Sequence, residues 1–316
     1  ITRAHGYLHY LWRQMKRNAP ATAWPKPTAA DVSLYGSMGL VERALMRDCD
    51  AILVVTAMFL QPDMLTIARR AGLHVYVLCT ESPYYLPQES RLASLADAVW
   101  TNERTALGPL GEVCRHVAYL PHAYRPGVHD RPAKADQGLA QHDVVFVGTL
   151  FEERVKLLEA VDWTGIDLGL YGNLESVSDR SPLKAFCCGG ITPNAVAAGL
   201  YRRAKIGLNL YRTTPEGCAP AESMNPRAYE LAAAGVCQVS EYRAEVSERF
   251  GSSVPTFTTG SELNEWVHHL LADDAARGRW AGEAQRAVIG DTWPSRIAQM
   301  RRDLNQWEQS PMRRFA

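Results

Sequence analysis

Near-continuous apolar runs and helix-period stretches alternate along most of this chain. AILVVT (51–56), HVYVLC (74–79), AVWT (98–101) and HVAYL (116–120) have the pattern of strands buried on both faces. Between them, QPDMLTIARRAG and QESRLASLA read as helices, the first closed by a terminal glycine. Such strands alternating with helices predict a parallel sheet covered on both sides. Residues 121–142, PHAYRPGVHDRPAKADQGLAQH, lack periodicity and are rich in Pro, Gly and charge, which reads as a linker. The alternation restarts with a strand at 143–148, a helix from Glu152, the strand DLGLYG (167–172), a helix at 194–204 and the strand IGLNL (206–210). A helix after Asn225, the strand VCQVS, a helix from Glu245, the strand VPTFT and helices from 261 onward complete the set.

The expected fold class is therefore α/β, with two Rossmann-like, doubly wound parallel-sheet domains at 1–124 and 125–290 and a C-terminal helix in 291–316. In such sheets ligands bind at the carboxyl ends of the strands, so two facing sheets are expected to share one cleft. The start is unusual, because ITRAHGYLHYLWRQMK reads as a loop and a helix with no strand before it. Either that strand is missing or the domain dispenses with it. At the other end, Ile297, Met300, Leu304 and Trp307 recur at spacings of three and four, an apolar stripe that must be buried.

Length and composition agree with two domains: 316 residues exceed the size at which one core keeps growing. Apolar content of 47% and charged content of 22% are those of an ordinary globular protein. Lys plus Arg and Asp plus Glu both total 34, so no global basic field draws the chain to nucleic acid or membrane, although a local basic groove stays open. The seven cysteines form no C-x-x-C and only Cys187 and Cys188 are neighbours, so zinc spacing is absent. Cys49, Cys79 and Cys237 lie in or beside apolar runs, as small buried hydrophobes do. A reducing, cytoplasmic setting is expected. No apolar run approaches the roughly 20 residues of a membrane span, and no signal peptide is visible.

Candidate chemistry collects at strand ends. In AESMNPRAYELAAAGVCQV (221–239), Asn225 suits an N-cap, Pro226 the first helical position and Gly235 the stop. Arg227 and Glu230 share a face at the first turn, where free N–H groups and the helix dipole suit a phosphate. Without a ligand, Glu230 would serve as a favourable first-turn carboxylate. Gly148 ends the second domain's first strand and would let a ligand approach the backbone, with Arg154 within reach of a diphosphate; a tight turn with a solvated arginine would look the same. No G-x-G-x-x-G is present, which argues against a dinucleotide cofactor. Gly172 and Asn173 close LYGN, and Asn209, Tyr211 and Arg212 close LNLYRTT, making four such loops on one edge. In the first domain, Glu81 of LCTESPYY stands at a strand's carboxyl end, as a proton acceptor, a sugar contact or a cap. His122 lies where the chain leaves that domain. His5 and His9 share a helix face but lack a third ligand, so no metal site is expected. His268 and His269 read as helix surface, and Trp266, Trp280, Trp293 and Trp307 as packing residues.

With these pieces in order, the chain resembles glycosyltransferases of the GT-B fold, and among them the CgeB-like (spore maturation protein) family. The likeness rests on ADAVWTNE, YLPHAYRPGVHDRP, VVFVGTLFEERVKLL, LGLYGN, KIGLNLYR and NPRAYELAAAGV, covering most of residues 50–240. Glu222 and Glu230 match the spaced-glutamate motif of nucleotide-sugar enzymes. The resemblance implies that Glu230 binds the donor ribose, that Arg154 and Arg227 meet the diphosphate, and that Gly148 and Thr149 line its pocket. It places Tyr171, Gly172 and Asn173 near the base, Asn209 and Arg212 in the donor pocket, and backbone N–H groups after Asn225 on the phosphates. Glu222 would face the sugar or diphosphate, and Glu81, His122 and Glu222 are the catalytic candidates. No lysine stands in an obvious phosphate position, leaving Lys156 and Lys205. The expected activity is metal-independent sugar transfer from a nucleotide-diphosphate donor, UDP first, with no permanently bound cofactor. The acceptor is a hydroxyl on a protein, glycan, small metabolite or modified nucleic acid. Spaced glutamates favour retention, whereas Glu81 or a histidine as base would serve inversion. A non-catalytic nucleotide- or sugar-binding protein and a sugar-nucleotide epimerase are the rival readings. The resemblance also implies a final helix returning to the first domain, with residues 121–142 and the turn near Gly290 as hinges.

Overall fold

A computed structural model describes residues 2–18, 26–56, 60–214 and 216–308. The chain forms two units, Ile1–Leu120 with Leu304–Ala316, and Pro121–Asp303. The first contains α1 (Thr2–Asn18), α2 (Ala29–Ser37), α3 (Leu40–Met46), β1 (Ala51–Val55), α4 (Pro62–Arg70), β2 (His74–Cys79), α5 (Leu86–Ala93), β3 (Ala98–Thr101), α6 (Leu107–Gly111) and β4 (Val117–Tyr119). Its strands form a parallel sheet in the order β1-β2-β3-β4. Val75, Val77 and Val99 are wholly buried beneath Leu65, Ala68, Leu92 and Leu110 from the helices. The expected apolar runs became these strands because each residue finds cover on its own face. At the outer strand β1 that cover thins, and Leu53 and Val55 are exposed.

The second unit contains β5 (His142–Val147), α7 (Glu152–Glu159), β6 (Leu168–Tyr171), β7 (Cys187–Gly189), α8 (Asn194–Arg202), β8 (Ala204–Asn209), α9 (Pro226–Ala234), β9 (Cys237–Glu241), α10 (Ala244–Phe250), β10 (Thr256–Phe257), α11 (Gly260–Ala272) and α12 (Asp274–Ala287). Its parallel sheet runs β10-β9-β8-β5-β6-β7. The chain starts in the middle and winds out in both directions, so the strand order reverses between β5 and β8. Alternate residues of β5 serve opposite cores: Val144 and Phe146 pack with α7 and α11, Val145 and Val147 with α8 and Leu231 of α9. Truncating fully buried Leu208 or Leu231 to alanine should cost about 2–5 kcal/mol. β7 has no counterpart in the sequence reading, because three residues, Cys-Cys-Gly, carry no periodic signal.

Three expectations need correction. Residues 121–142 are not a plain linker: Tyr124 bridges to Thr292, its N–H donates to Asp291 O (3.1 Å), and His142 already belongs to β5. In α13 (Trp293–Glu308) the predicted stripe holds at Met300, with Leu304 and Trp307 half-buried, but not at its first position. Ile297 is 48% exposed, while Arg296 is buried, donating from Nε to Pro121 O (3.0 Å) and from Nη2 to His122 O (3.1 Å) and Asp291 (2.8 Å). Later on the same helix, Trp307 lies 5.3 Å from the Trp100 ring and stacks on His116 at 5.2 Å, all within the first unit. Cys49, finally, is exposed, whereas Cys79 and Cys237 are buried. Among the described residues no helix is long and apolar enough to cross a membrane.

Candidate functional site

The carboxyl ends of β5, β6 and β8 and the start of α9 come together in the second unit. Local chemistry sets α9. Asn225 sits outside the helix at φ −81°, ψ 169° and its side chain accepts from Ala228 N–H at 3.1 Å; Pro226 opens the first turn. Gly235 ends it in the left-handed region at φ 74°. Facing this turn is a floor that only glycines allow. A Cβ on Gly148 would overlap Arg227 Nη2, and one on Gly172, at φ 115°, would overlap the Gly148 carbonyl. Gly148 N–H donates to Tyr171 O (2.8 Å) and Leu150 N–H to Asn173 O (2.8 Å), so the two strand-end loops are laced backbone to backbone.

The two predicted phosphate arginines differ in environment. Arg227 is half-buried, donates from Nε to Val147 O at 2.9 Å, and lies 4.8 Å over the Phe146 ring. It also bonds the buried Tyr201 hydroxyl, which burial pushes up to about 12. Arg154 is only 7% exposed. Its Nε donates to Tyr211 O (3.0 Å), Nη1 to Thr149 O (2.7 Å) and Nη2 to Leu210 O (2.9 Å). Rather than a solvated turn residue, Arg154 is a buried tie between the loops after β5 and β8. Arg212 lies 5.1 Å over Phe151.

Several other predicted donor residues have partners within the protein. Asn209 is wholly buried, with Nδ2 donating to Tyr211 OH and Ser240 Oγ, both at 3.1 Å. The Tyr171 ring turns back along the sheet, where its hydroxyl meets His142 Nε2 at 2.9 Å and His142 Nδ1 meets Asp167 at 3.1 Å. The backbone of residues 171–173, not that ring, therefore lines the strand end. Asn173 Oδ1 accepts from Glu175 N–H at 3.1 Å. Lys156 is exposed on α7, and Lys205 pairs with Asp143 (2.8 Å) at the strands' opposite end. Glu222 is exposed on its loop. That loop is pinned by Glu245, whose N–H donates to Glu222 O (3.0 Å) and whose buried carboxylate accepts from Met224 N–H (2.6 Å).

Glu230 stands one turn beyond Arg227 with its side chain 20% exposed. Burial pushes its carboxyl up, with Arg227 opposing. Its Oε1 lies 3.7 Å from Nε2 of His129, a buried histidine that sequence reasoning passed over inside the supposed linker. Its signal was a histidine directly after the PGV turn, in a segment otherwise rich in proline and charge. The other predicted catalytic residues have their own settings. In the first unit, Glu81 N–H donates to Glu89 at 3.0 Å and Ser82 Oγ bonds the same buried carboxylate. In the second, burial and the Arg296 guanidinium hold His122 down to about 4, and its Nδ1 is buried with no hydrogen-bond partner. Among the described residues no group of three His, Cys, Asp or Glu side chains could hold a metal ion.

The same architecture recurs in solved structures. A sucrose-phosphate synthase from Thermosynechococcus elongatus matches with a TM-score of 0.66 at 13% identity, over 93% of this chain and 82% of that one. An α,α-trehalose-phosphate synthase (UDP-forming) from Burkholderia xenovorans, in complex with glucose-6-phosphate, matches at 0.60 and 15%, over 88% and 78%. A protein assigned as a UDP-N-acetylglucosamine 2-epimerase from Listeria monocytogenes matches at 0.58 and 12%, over 91% and 82%. No curated protein sequence matches the chain. At such identities these likenesses speak for the fold. The chain has the two-domain, Rossmann-like GT-B fold, and its residues 154–302 match the model of the glycosyl transferase-like family.

Proposed function

We propose that this protein is a glycosyltransferase that takes its sugar from a nucleotide-diphosphate donor, UDP-linked first, and passes it to a hydroxyl acceptor. One observation carries the reading: Arg227 and Glu230 share the first turns of a capped helix above a floor of two glycines. The glycines let the two strand-end loops pack together and the Arg227 guanidinium lie against the backbone, and the helix N-terminus and Arg227 meet the diphosphate's charge. Glu230, one turn further, takes the ribose hydroxyls. As the sugar departs, negative charge gathers on the diphosphate, and these fixed positive groups stabilise it without a metal. Arg154 holds the Thr149 loop and the loop after β8 in place, and Glu245 does the same for Glu222, which faces the sugar. In the first unit Glu81 is the carboxylate offered to an acceptor hydroxyl. The spaced glutamates favour retention. The UDP-forming trehalose-phosphate synthase of like fold supports UDP as the nucleotide.

Mass spectrometry across a panel of nucleotide sugars tests this reading. Donor hydrolysis or transfer by the wild type, lost in Arg227→Ala, is the expected result. Binding with no turnover of any donor would mark a binding protein, and conversion of a UDP-sugar into its epimer would mark an epimerase.

A further inference from the structure

The turn that carries His129 is held far more firmly than a linker requires. Its N–H donates to Arg125 O (3.1 Å), and Arg125 N–H donates back to His129 Nδ1 (3.0 Å). From α8, Arg202 Nη1 donates to both Val128 O (2.9 Å) and His129 O (3.0 Å). Arg202 is itself fixed by Asp136, at 2.8 Å from Nε and 3.2 Å from Nη2. The ring at the centre of this clamp is 2% exposed. Because Nδ1 accepts a backbone N–H, a neutral ring carries its proton on Nε2. That nitrogen is the one 3.7 Å from Glu230 Oε1.

From this geometry we infer that His129 is a positioning residue of the donor site, its Nε2–H directing the Glu230 carboxylate toward the ribose. The inference rests on the reading of Glu230 as the ribose contact. The separation is longer than a hydrogen bond, so the contact acts as an oriented N–H dipole facing a carboxylate. Burial lowers the pKa of His129, which favours the neutral ring. The groups facing Glu230 are Arg227 on its own helix, Tyr201 on α8 and His129; those around His129 are Arg125, Asp130 and Arg202. Of these, His129 contributes a neutral donor. Without it the Glu230 carboxyl, already raised by burial, rises further and is lost as an acceptor at a higher pH.

Two conservative variants separate the roles of the ring's nitrogens. His129→Asn keeps an acceptor for Arg125 N–H but is too short to reach Glu230; His129→Gln extends an amide N–H to the Nε2 position. UDP is titrated calorimetrically against the wild type, both variants and Glu230→Ala from pH 5 to pH 8. His129→Asn should fold normally yet bind UDP about tenfold more weakly, with its acid limb moved to higher pH. His129→Gln should bind within about threefold of wild type. If His129→Asn matches wild type at every pH while Glu230→Ala is weakened, the inference falls and the reading of Glu230 stands. If Glu230→Ala also binds normally, the reading itself is wrong. Equal weakening in both variants with parallel losses of Tm would make His129 purely structural. A check that needs no variant is nitrogen NMR of the labelled histidine ring. It should show the Nε2–H form, with a resonance that moves on UDP addition; an Nδ1–H form, or no movement, overturns the inference.

Discussion

Gly148→Ala adds a single methyl group, and its effect should reach donor binding through Arg227. The new Cβ would overlap Arg227 Nη2 and lie 3.2 Å from both Arg227 Cζ and Phe146 Cζ. Phe146 is wholly buried in the core and cannot retreat, so the guanidinium must move, by roughly 1 Å to reach ordinary van der Waals contact. That shift strains its 2.9 Å bond to Val147 O and its seat over the Phe146 ring. Together these are worth about 2–4 kcal/mol when fully formed. Losing a third to a half of that would lower stability by about 1–2 kcal/mol. The misplaced guanidinium should weaken UDP binding by about 10- to 100-fold. Urea unfolding and calorimetric titration measure the two effects separately. The decisive control is the double variant. In an Arg227→Ala background the severe overlap is gone and only the 3.2 Å approach to Phe146 Cζ remains, so Gly148→Ala should cost clearly less further affinity than in the wild type. If it weakens UDP binding as much there as in the wild type, the contact between Gly148 and Arg227 is not what shapes the site.

Other expectations follow from the same contacts. Arg154→Ala leaves the carbonyls of Thr149, Leu210 and Tyr211 without that donor and should cost about 2–4 kcal/mol in urea unfolding. Arg154→Lys should not restore it, since one ammonium cannot span three carbonyls. Arg227→Ala should be milder on stability but lower single-turnover rates at saturating donor by about 10- to 100-fold; unchanged rates would remove it from the phosphate site. For His122, the depressed pKa means the folded state disfavours the proton that the unfolded chain accepts. Its contribution is full above pH 6.5 and is lost as pH falls toward about 4. His122→Gln should flatten the fall of Tm across that window, and identical slopes would contradict the burial argument. Trp307→Ala should lower stability by about 1–3 kcal/mol through lost ring contacts with Trp100 and His116, read by the same unfolding assay.

What the sequence made legible was local chemistry and continuous burial. Strands such as HVYVLC and AVWT are readable because their residues, the exposed His74 apart, are mostly apolar and covered. The ends of α9 are readable because Asn225, Pro226 and Gly235 act on their immediate neighbours. Arg227 and Glu230 share a face by helical spacing alone. The missing parts depend on residues far away in the chain. Arg154 is buried only because the carbonyls of residues 210 and 211 arrive from another strand end. His129 was hidden in a Pro-rich stretch, and its partner Glu230 lies about a hundred residues on. In α13 the apolar stripe placed Ile297 inward, yet Arg296 took that place because the carbonyls of Pro121 and His122 supply acceptors. Periodicity ranks side chains by hydropathy, and it does not see which polar side chain will meet a partner.

The central claim is that one end of α9 holds the diphosphate while Glu230, a turn later, holds the ribose. Calorimetric affinities of UDP and uridine for the wild type, Arg227→Ala and Glu230→Ala test it most directly. Glu230→Ala should weaken both ligands by a similar factor, about tenfold or more, because both carry the ribose hydroxyls. Arg227→Ala should weaken UDP and leave uridine nearly unchanged, because only UDP carries the diphosphate. Wild-type affinity for UDP in a folded Glu230→Ala protein would contradict the account.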